Sequence, residues 1–566
     1  MNKLVHVLGI CLLGGLLLVS ACQGETPEEE QPKVEFKYQD NTVRVRLPAE
    51  PDRLNPLLTT RAEARPIYEE IFPSMLVINP VNFKWEPFLA MSAPLVEELA
   101  DNQVSYTYEL RPEARWADGR PVLATDVLFS FKVLMNPAVP ATAHRSAGYG
   151  SLVDAQLDPD NPRRITLLVA APSIRTEAAL NGLNIFPEHL FDPEGLMRAI
   201  SLKEIIQTTD PGQADPRLQQ FAELFQTSPY SRQPAYLQGA GAYQLKKWEE
   251  GQYISMSKVP NWWGDKLATD QAQFEAFPDS IVFAIIPDNA TAVNAVKSEL
   301  VDVATDIDAQ SYQELQELDF VRERYQFATP NRLAFAYIAI NNADPLLRDK
   351  RTRRALAHIA DSKLYLEQLA NGLGTPIIGP VHPDKPYYHP ELQPIQHDLE
   401  KAQELLAAAG WQDSNGNGIL DQKIDGQLRE LELEYITVPS SELQKGIAKL
   451  YQEAAAKVGV KIKEVYQDAR KLFGESLPSG NYQLASAAAG ADPLDDDFFQ
   501  LWHTSNFAPA GSNRVRFGNA ETDALIEKIQ TTLSYEERLP LYLRFQEILY
   551  EEQPMIFLFA LKHRLI

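Results

Sequence analysis

The chain has 566 residues, 45% of them hydrophobic, and carries 53 Lys+Arg against 77 Asp+Glu for a formal net charge of −24. That apolar content supports large cores and excludes global disorder. The acidic balance excludes a partner read through phosphates, so nucleic acid is not expected. Two cysteines, Cys11 and Cys22, exclude a disulfide scaffold and any multi-cysteine metal site.

In chain order, Met1-Asn2-Lys3 is a short positive start and Leu4–Leu18 is almost wholly apolar or small. This is the pattern of a secretory signal over residues 1–21. Val19-Ser20-Ala21-Cys22 resembles a bacterial lipobox, which makes Cys22 the expected lipidation site; an ordinary signal with a chance cysteine is the alternative. Residues 22–36, with Glu25, Glu28, Glu29 and Glu30, lack apolar periodicity and read as an acidic tether. No later run of about 18 apolar residues follows, so the body is expected to be soluble and leashed.

In the body, Asn41–Leu47 and Tyr106–Leu110 alternate apolar and polar residues and predict strands. Ala124–Leu134 predicts a helix starting near Thr125 or Asp126, after the Asp118-Gly119 turn. Arg164–Val169 predicts a strand, and residues 191–238 a polar excursion with helical segments. Ala242–Trp248 and Tyr253–Lys258 predict a hairpin about Glu249-Glu250-Gly251. Ser280–Ile286, Leu333–Ile340, Leu431–Ile436 and Val460–Val465 read as strands. Thr291–Glu299, Asp349–Leu369, Leu399–Ala409 and Ser441–Val458 read as helices. The result is an α/β chain of mixed sheets covered by helices. Separate sheets leave clefts between them, where ligand sites tend to lie.

Five segments in order resemble a known family. They are Pro51-Asp-Arg-Leu-Asn-Pro56; Tyr106–Val127, with Leu110-Arg111, Asp118-Gly119-Arg120-Pro121 and Ala124-Thr125-Asp126-Val127; and Gly239-Ala-Gly-Ala-Tyr243 with Trp248 and Asn261-Trp-Trp-Gly264. The last two are Asn341 with Pro345-Leu346, Asp349, Arg351–Leu356 and Asp361, and then Lys401–Trp411. Together they resemble the extracellular solute-binding proteins, family five, the peptide and nickel receptors of ABC importers. The resemblance implies a two-lobed, periplasmic-binding-protein type II-like fold with an extra domain, closing about a hinge. It implies lobe I over 37–79 and 186–286, the extra domain over 80–185, lobe II over 287–555, and a short C-terminal return over 556–566. Family members continue further, so a truncated end and a different closure of the first lobe both stay open.

Gly490-Ala-Asp-Pro-Leu-Asp-Asp-Asp-Phe498 resembles the segment in which peptide receptors place an aspartate against the ligand's α-ammonium, which makes Asp492 the expected anchor. Capping of a turn at Asp-Pro is the alternative. Asp495, Asp496 and Asp497 are expected to be a solvated helix start. Tyr482 and Trp502 are candidate pocket residues, with core packing as the alternative. Arg351, Arg353 and Arg354 are read as ion-pair partners within a lobe. Asp413-Ser-Asn-Gly-Asn-Gly-Ile-Leu-Asp421 matches the first part of a calcium loop, with oxygens from Asp413, Asn415, Asn417, Ile419 and Asp421. Its twelfth position is Ile424 instead of a bidentate glutamate, so any site there is structural, and a Gly/Asn turn is the alternative. No other cofactor is expected.

Motifs for a serine hydrolase, a zinc protease or a P-loop are absent from the sequence. The expectation is a non-catalytic, monomeric, extracytoplasmic lipoprotein on the periplasmic or cell-surface side. It would capture oligopeptides and hand them to the permease subunits of an ABC transporter. A receptor for a nickel chelate, an oligosaccharide or another small ligand is the first rival. A secreted hydrolase with a nonstandard nucleophile is the rival from another class, and an adhesin or sensor the third.

Overall fold

The computed structural model describes residues 41–566 apart from 101–102, 147, 209–211, 213, 268–271, 492 and 510. The signal, the tether, Cys22 and Asp492 therefore lie outside the described residues.

The first part of the chain carries β1 (Thr42–Leu47), β2 (Leu76–Ile78), β3 (Trp85–Pro87), β4 (Leu95–Glu98), β5 (Val104–Glu109), β6 (Leu152–Leu157), β7 (Arg164–Val169), β8 (Tyr243–Glu249), β9 (Tyr253–Lys258) and β10 (Ser280–Ile285). Strands β1, β10, β9 and β8 form one sheet in that order, with β1 and β10 parallel. Strands β4, β5, β7 and β6 form a second, antiparallel sheet. One continuous apolar cluster joins both sheets and includes Phe72, Tyr106, Trp116, Phe131 and Trp262. This is the first lobe.

The helix Ala124–Met135 starts where the sequence places it, with Leu123 as the residue before it. Its first turn is closed by Asp126, whose carboxylate accepts from Leu123 N at 2.9 Å. Asp126 also accepts from Glu188 N at 3.1 Å and from Trp116 Nε1 at 3.4 Å. Burial pushes its pKa up to about 6 despite these donors. The Ala-x-Asp-Val segment is thus a buried junction between Trp116 and the chain at 188.

The second lobe is built on β11 (Asn331–Ile340), β12 (Gly374–Pro376), β13 (Asp421–Ile424), β14 (Gln427–Glu430), β15 (Glu432–Thr437), β16 (Lys461–Tyr466), β17 (Leu484–Gly490) and β18 (Met555–Lys562). Its main sheet runs β12-β18-β11-β17-β15-β16. β11 reads as a nearly unbroken apolar run because both of its faces are covered. Ala336, Ile338 and Ile340 pack with the helices Lys350–Ile359 and Glu442–Ala456, through Leu356 and Tyr451. Phe335 and Ala339 pack with the helices Ala520–Thr531 and Tyr535–Glu552, through Ile526 and Phe545. A bulge in β18 opposite Ala336/Tyr337 flips this alternation, so Leu558 and Phe559 share one core.

Two expectations are modified. Asp349–Leu369 is two helices, Lys350–Ile359 and Ser362–Leu369, because Asp361 caps the second, accepting from Leu364 N at 3.0 Å. Residues 289–330, read as the start of lobe II, bond instead to β1: Arg46 N donates to Val303 O at 2.8 Å and Asp302 N to Arg44 O at 2.8 Å. An Arg44–Asp302 ion pair adds to the join. Residues 563–566 return to the same segment. Leu565 and Ala328 exchange two backbone hydrogen bonds of 2.9 Å, and Ile566 N donates to Ala304 O at 3.0 Å. The chain therefore crosses between the lobes twice, side by side, near 328–331 and 562–565.

Candidate functional site

A cleft of about 520 Å³ separates the first-lobe helix Ile174–Gly182 from the second-lobe segment 491–502. The helix is started by Ser173, whose Oγ accepts from Thr176 N at 3.1 Å. It lines the cleft with Ile174, Arg175, Ala178, Ala179 and Gly182, a helical stripe of mostly small residues. Ile174 joins the apolar cluster of the second lobe. Arg175 Nη1 lies 2.8 Å from Asp497 Oδ2. Among the described residues the two walls touch through apolar and charged contacts.

The opposite wall is held from behind by buried polar groups. Lys385 Nζ donates to Leu494 O. Arg538, 4% exposed, pairs with Asp495. Tyr387 OH donates to Asp496 Oδ2 at 3.0 Å and accepts from Asp496 N at 2.9 Å, while Tyr542 OH donates to Asp496 O at 2.8 Å. Tyr387 and Tyr542 stack with ring centroids 4.1 Å apart. Phe498 takes a left-handed backbone conformation, φ 59°, and packs on Phe545. The acidic triplet does lead into the helix Phe499–Trp502, with Asp497 Oδ1 accepting from Phe499 N at 3.1 Å, but it is tied down instead of solvated. Each carboxylate is tied to a cation, a tyrosine or a backbone N–H, and the triplet shapes the wall.

A second chamber of about 490 Å³ adjoins the cleft and is lined by Phe83, Glu177, Lys385, Asp495 and Arg538. Burial raises the Glu177 pKa; Arg538 works against that shift and Asp495 adds to it. This charged chamber draws on both lobes, and no spacing in the sequence singles out its members.

The candidate residues separate clearly. Trp502 borders the cleft but is 1% exposed and belongs to the second-lobe core, edge-on to Phe517 and Phe545. Tyr482 is a core residue: it is 5% exposed, its hydroxyl donates to Arg514 O at 2.8 Å, and it is not part of the cleft lining. Asp492 lies outside the described residues. Arg353 is paired with Glu552 at 3.0 Å and donates to Leu347 O and Arg348 O. Arg351 is paired with Asp349 at 2.6 Å.

In loop 413–421 the side-chain oxygens face the loop's own donors. Asp413 accepts from Gly416 N, Asn417 N and Gly418 N at 2.8–3.1 Å. Asn415 and Asn417 accept from Asn417 N and Ile419 N, each at 2.9 Å. Asp421 takes both the N and the Oγ of Ser414. Among the described residues no group of three or more His, Cys, Asp or Glu could hold a metal ion.

Two lobes joined by paired crossings, with a lined cleft between them, define a binding protein that encloses its ligand. The chain belongs to the bacterial extracellular solute-binding proteins, family 5, whose middle-region model matches residues 84–510. Members are the substrate-binding components of ABC transporters; they act outside the cytoplasm and are not enzymes. The chain is 24% identical over 550 residues to oligopeptide-binding protein AppA of Bacillus subtilis, covering 96% of this chain and 91% of that one. It is 23% identical to heme-binding protein A of Haemophilus influenzae, with 97% and 92% covered. The solved structure of AppA from Bacillus subtilis in complex with a nonapeptide shares the fold at a TM-score of 0.63 and 20% identity, covering 93% of this chain and 94% of that one. The type II periplasmic-binding fold expected from the sequence is the fold observed.

Proposed function

We propose that this chain captures oligopeptides in the cleft between its lobes and delivers them to a separate membrane permease, while a diacylated Cys22 holds it at the extracytoplasmic face of a membrane. The observation that carries the reading is the cleft itself. Its volume of about 520 Å³ falls within the roughly 300–1,000 Å³ usual for small-ligand sites. Its walls combine small residues and charged groups. Asp492 is assigned the ligand's α-ammonium; its neighbours Ala491 and Leu494 line the cleft. Similarity to an oligopeptide-binding protein along nearly the whole chain supports the ligand class.

The comparable match to a heme-binding protein favours a second reading, a single non-peptide ligand in the same cleft. Native mass spectrometry of the gently purified protein, followed by denaturing release, separates the two. Release of mixed short peptides, lost in Asp492→Ala, supports the first reading. Release of one non-peptide compound supports the second. A protein that stays empty against a peptide library contradicts the peptide role.

A further inference from the structure

A third chamber, of about 280 Å³, adjoins the main cleft and shares Arg65, Ile78, Trp85 and Gly182 with it. Glu70, Asn184, Gly241 and Trp262 also line it. The backbone beside Glu70 is tightly fixed: Gly241 N donates to Ile71 O at 3.1 Å, and a Cβ on Gly241 would stand 2.0 Å from Glu70 O. Arg65 is paired with Glu69 at 2.7 Å. The Glu70 carboxyl has no hydrogen bond or ion pair among the described residues. Burial and the neighbouring Glu69 lift its pKa to about 7, and no cation opposes that shift. A desolvated carboxylate without a counter-charge is costly in a folded protein. Here it adjoins a cavity also lined by Asn184 and by Arg65, whose charge is met by Glu69, so Glu70 is the carboxylate of the lining without a paired cation. The net charge of −24 draws cations toward the molecule as a whole.

We propose that this chamber is a specificity pocket for a cationic group, a primary ammonium or a guanidinium, on the ligand of the main cleft, with Glu70 as its counter-charge. The assignment to a cleft ligand rests on the binding reading above; the cation preference of the chamber does not.

Two measurements at pH 8, where the Glu70 carboxyl is ionised, test it. In the first, n-butylguanidinium and neutral butylurea are added separately to the wild type and to Glu70→Gln, and the melting temperature is followed. The guanidinium raises the wild-type melting temperature and butylurea does not, and Glu70→Gln loses the difference. No guanidinium response, or an equal response in the variant, overturns the inference whether or not peptides bind. In the second, calorimetry compares tetrapeptides carrying lysine or norleucine at each position in turn. Lysine at one position binds about tenfold tighter in the wild type, and the preference collapses in Glu70→Gln. Tetrapeptides that bind with no lysine preference overturn the pocket and leave the peptide reading standing. A guanidinium response without any peptide binding supports the chamber and overturns the peptide reading.

Discussion

Gly241 shows how much a single position carries. Its missing Cβ lets the Gly-Ala-Gly-Ala-Tyr segment lie against the backbone carbonyls of Glu70 and Ile71. Gly241→Ala forces backbone apart and is expected to cost about 1–3 kcal/mol, measurable as a lower denaturant midpoint; an unchanged midpoint contradicts the close approach. Glu70 makes a pH-dependent prediction. Its folded pKa is raised from 4.5 to about 7, with Glu69 beside it and Tyr243 and the Arg65–Glu69 pair nearby. The folded state therefore holds the proton more tightly than the unfolded one. Stability is full below about pH 4.5 and falls as pH rises through 7. Glu70→Gln should stabilise the protein at pH 8, on the order of 2–3 kcal/mol, and leave it unchanged at pH 4. Unfolding curves at both values check this, and equal effects at both contradict it. At this scale the sequence was a partial guide. Trp502 and Tyr482 look alike in sequence as aromatic residues near one motif, and both are core residues, with Trp502 alone bordering the cleft. Glu70 and Glu177 belong to no motif, because what distinguishes them is burial and the residues brought beside them by distant parts of the chain.

Elements were far more legible. Alternation located β1 and β5, the Glu249-Glu250-Gly251 turn located the β8–β9 hairpin, and apolar runs located β10 and β11, because each pattern reflects which faces are covered. The break between Ile359 and Ser362 was missed, since Asp361 lies inside a continuous amphipathic pattern and signals a new helix only through its cap. The 491–502 wall was misjudged because three consecutive aspartates look solvated, whereas Arg538, Tyr387 and Tyr542 approach them from segments far away in sequence. Tyr387→Phe removes the hydroxyl that bridges Asp496 N and Oδ2. It should cost about 1–3 kcal/mol and speed amide exchange over 494–498, with β11 unaffected. Unchanged exchange there contradicts the bracing role. Asp413 in loop 413–421 accepts from three of the loop's own N–H groups, and a carboxylate so held keeps lone pairs for a cation. A drop in melting temperature on chelation supports a structural calcium there, and an unchanged value supports a Gly/Asn turn.

At the scale of the whole molecule, two lobes are joined by neighbouring crossings near 328–331 and 562–565, where Leu565 and Ala328 pair. That arrangement suits hinge closure over a ligand. The ordered motifs made the two-lobed fold legible. The attachment of residues 289–330 to β1 was not, because a strand–helix alternation carries no mark of the sheet it will join. The central claim is that ligand occupies the space between the helix Ile174–Gly182 and the wall at 491–502. Ala178 lines both the main cleft and the charged chamber, so a large side chain there fills the site without disturbing either core. The most direct test is calorimetric titration of wild type and Ala178→Trp with the same short-peptide mixture, after unfolding curves establish equal stability. The wild type should bind and Ala178→Trp should lose binding; a variant that keeps wild-type affinity would place the ligand elsewhere and contradict the assignment.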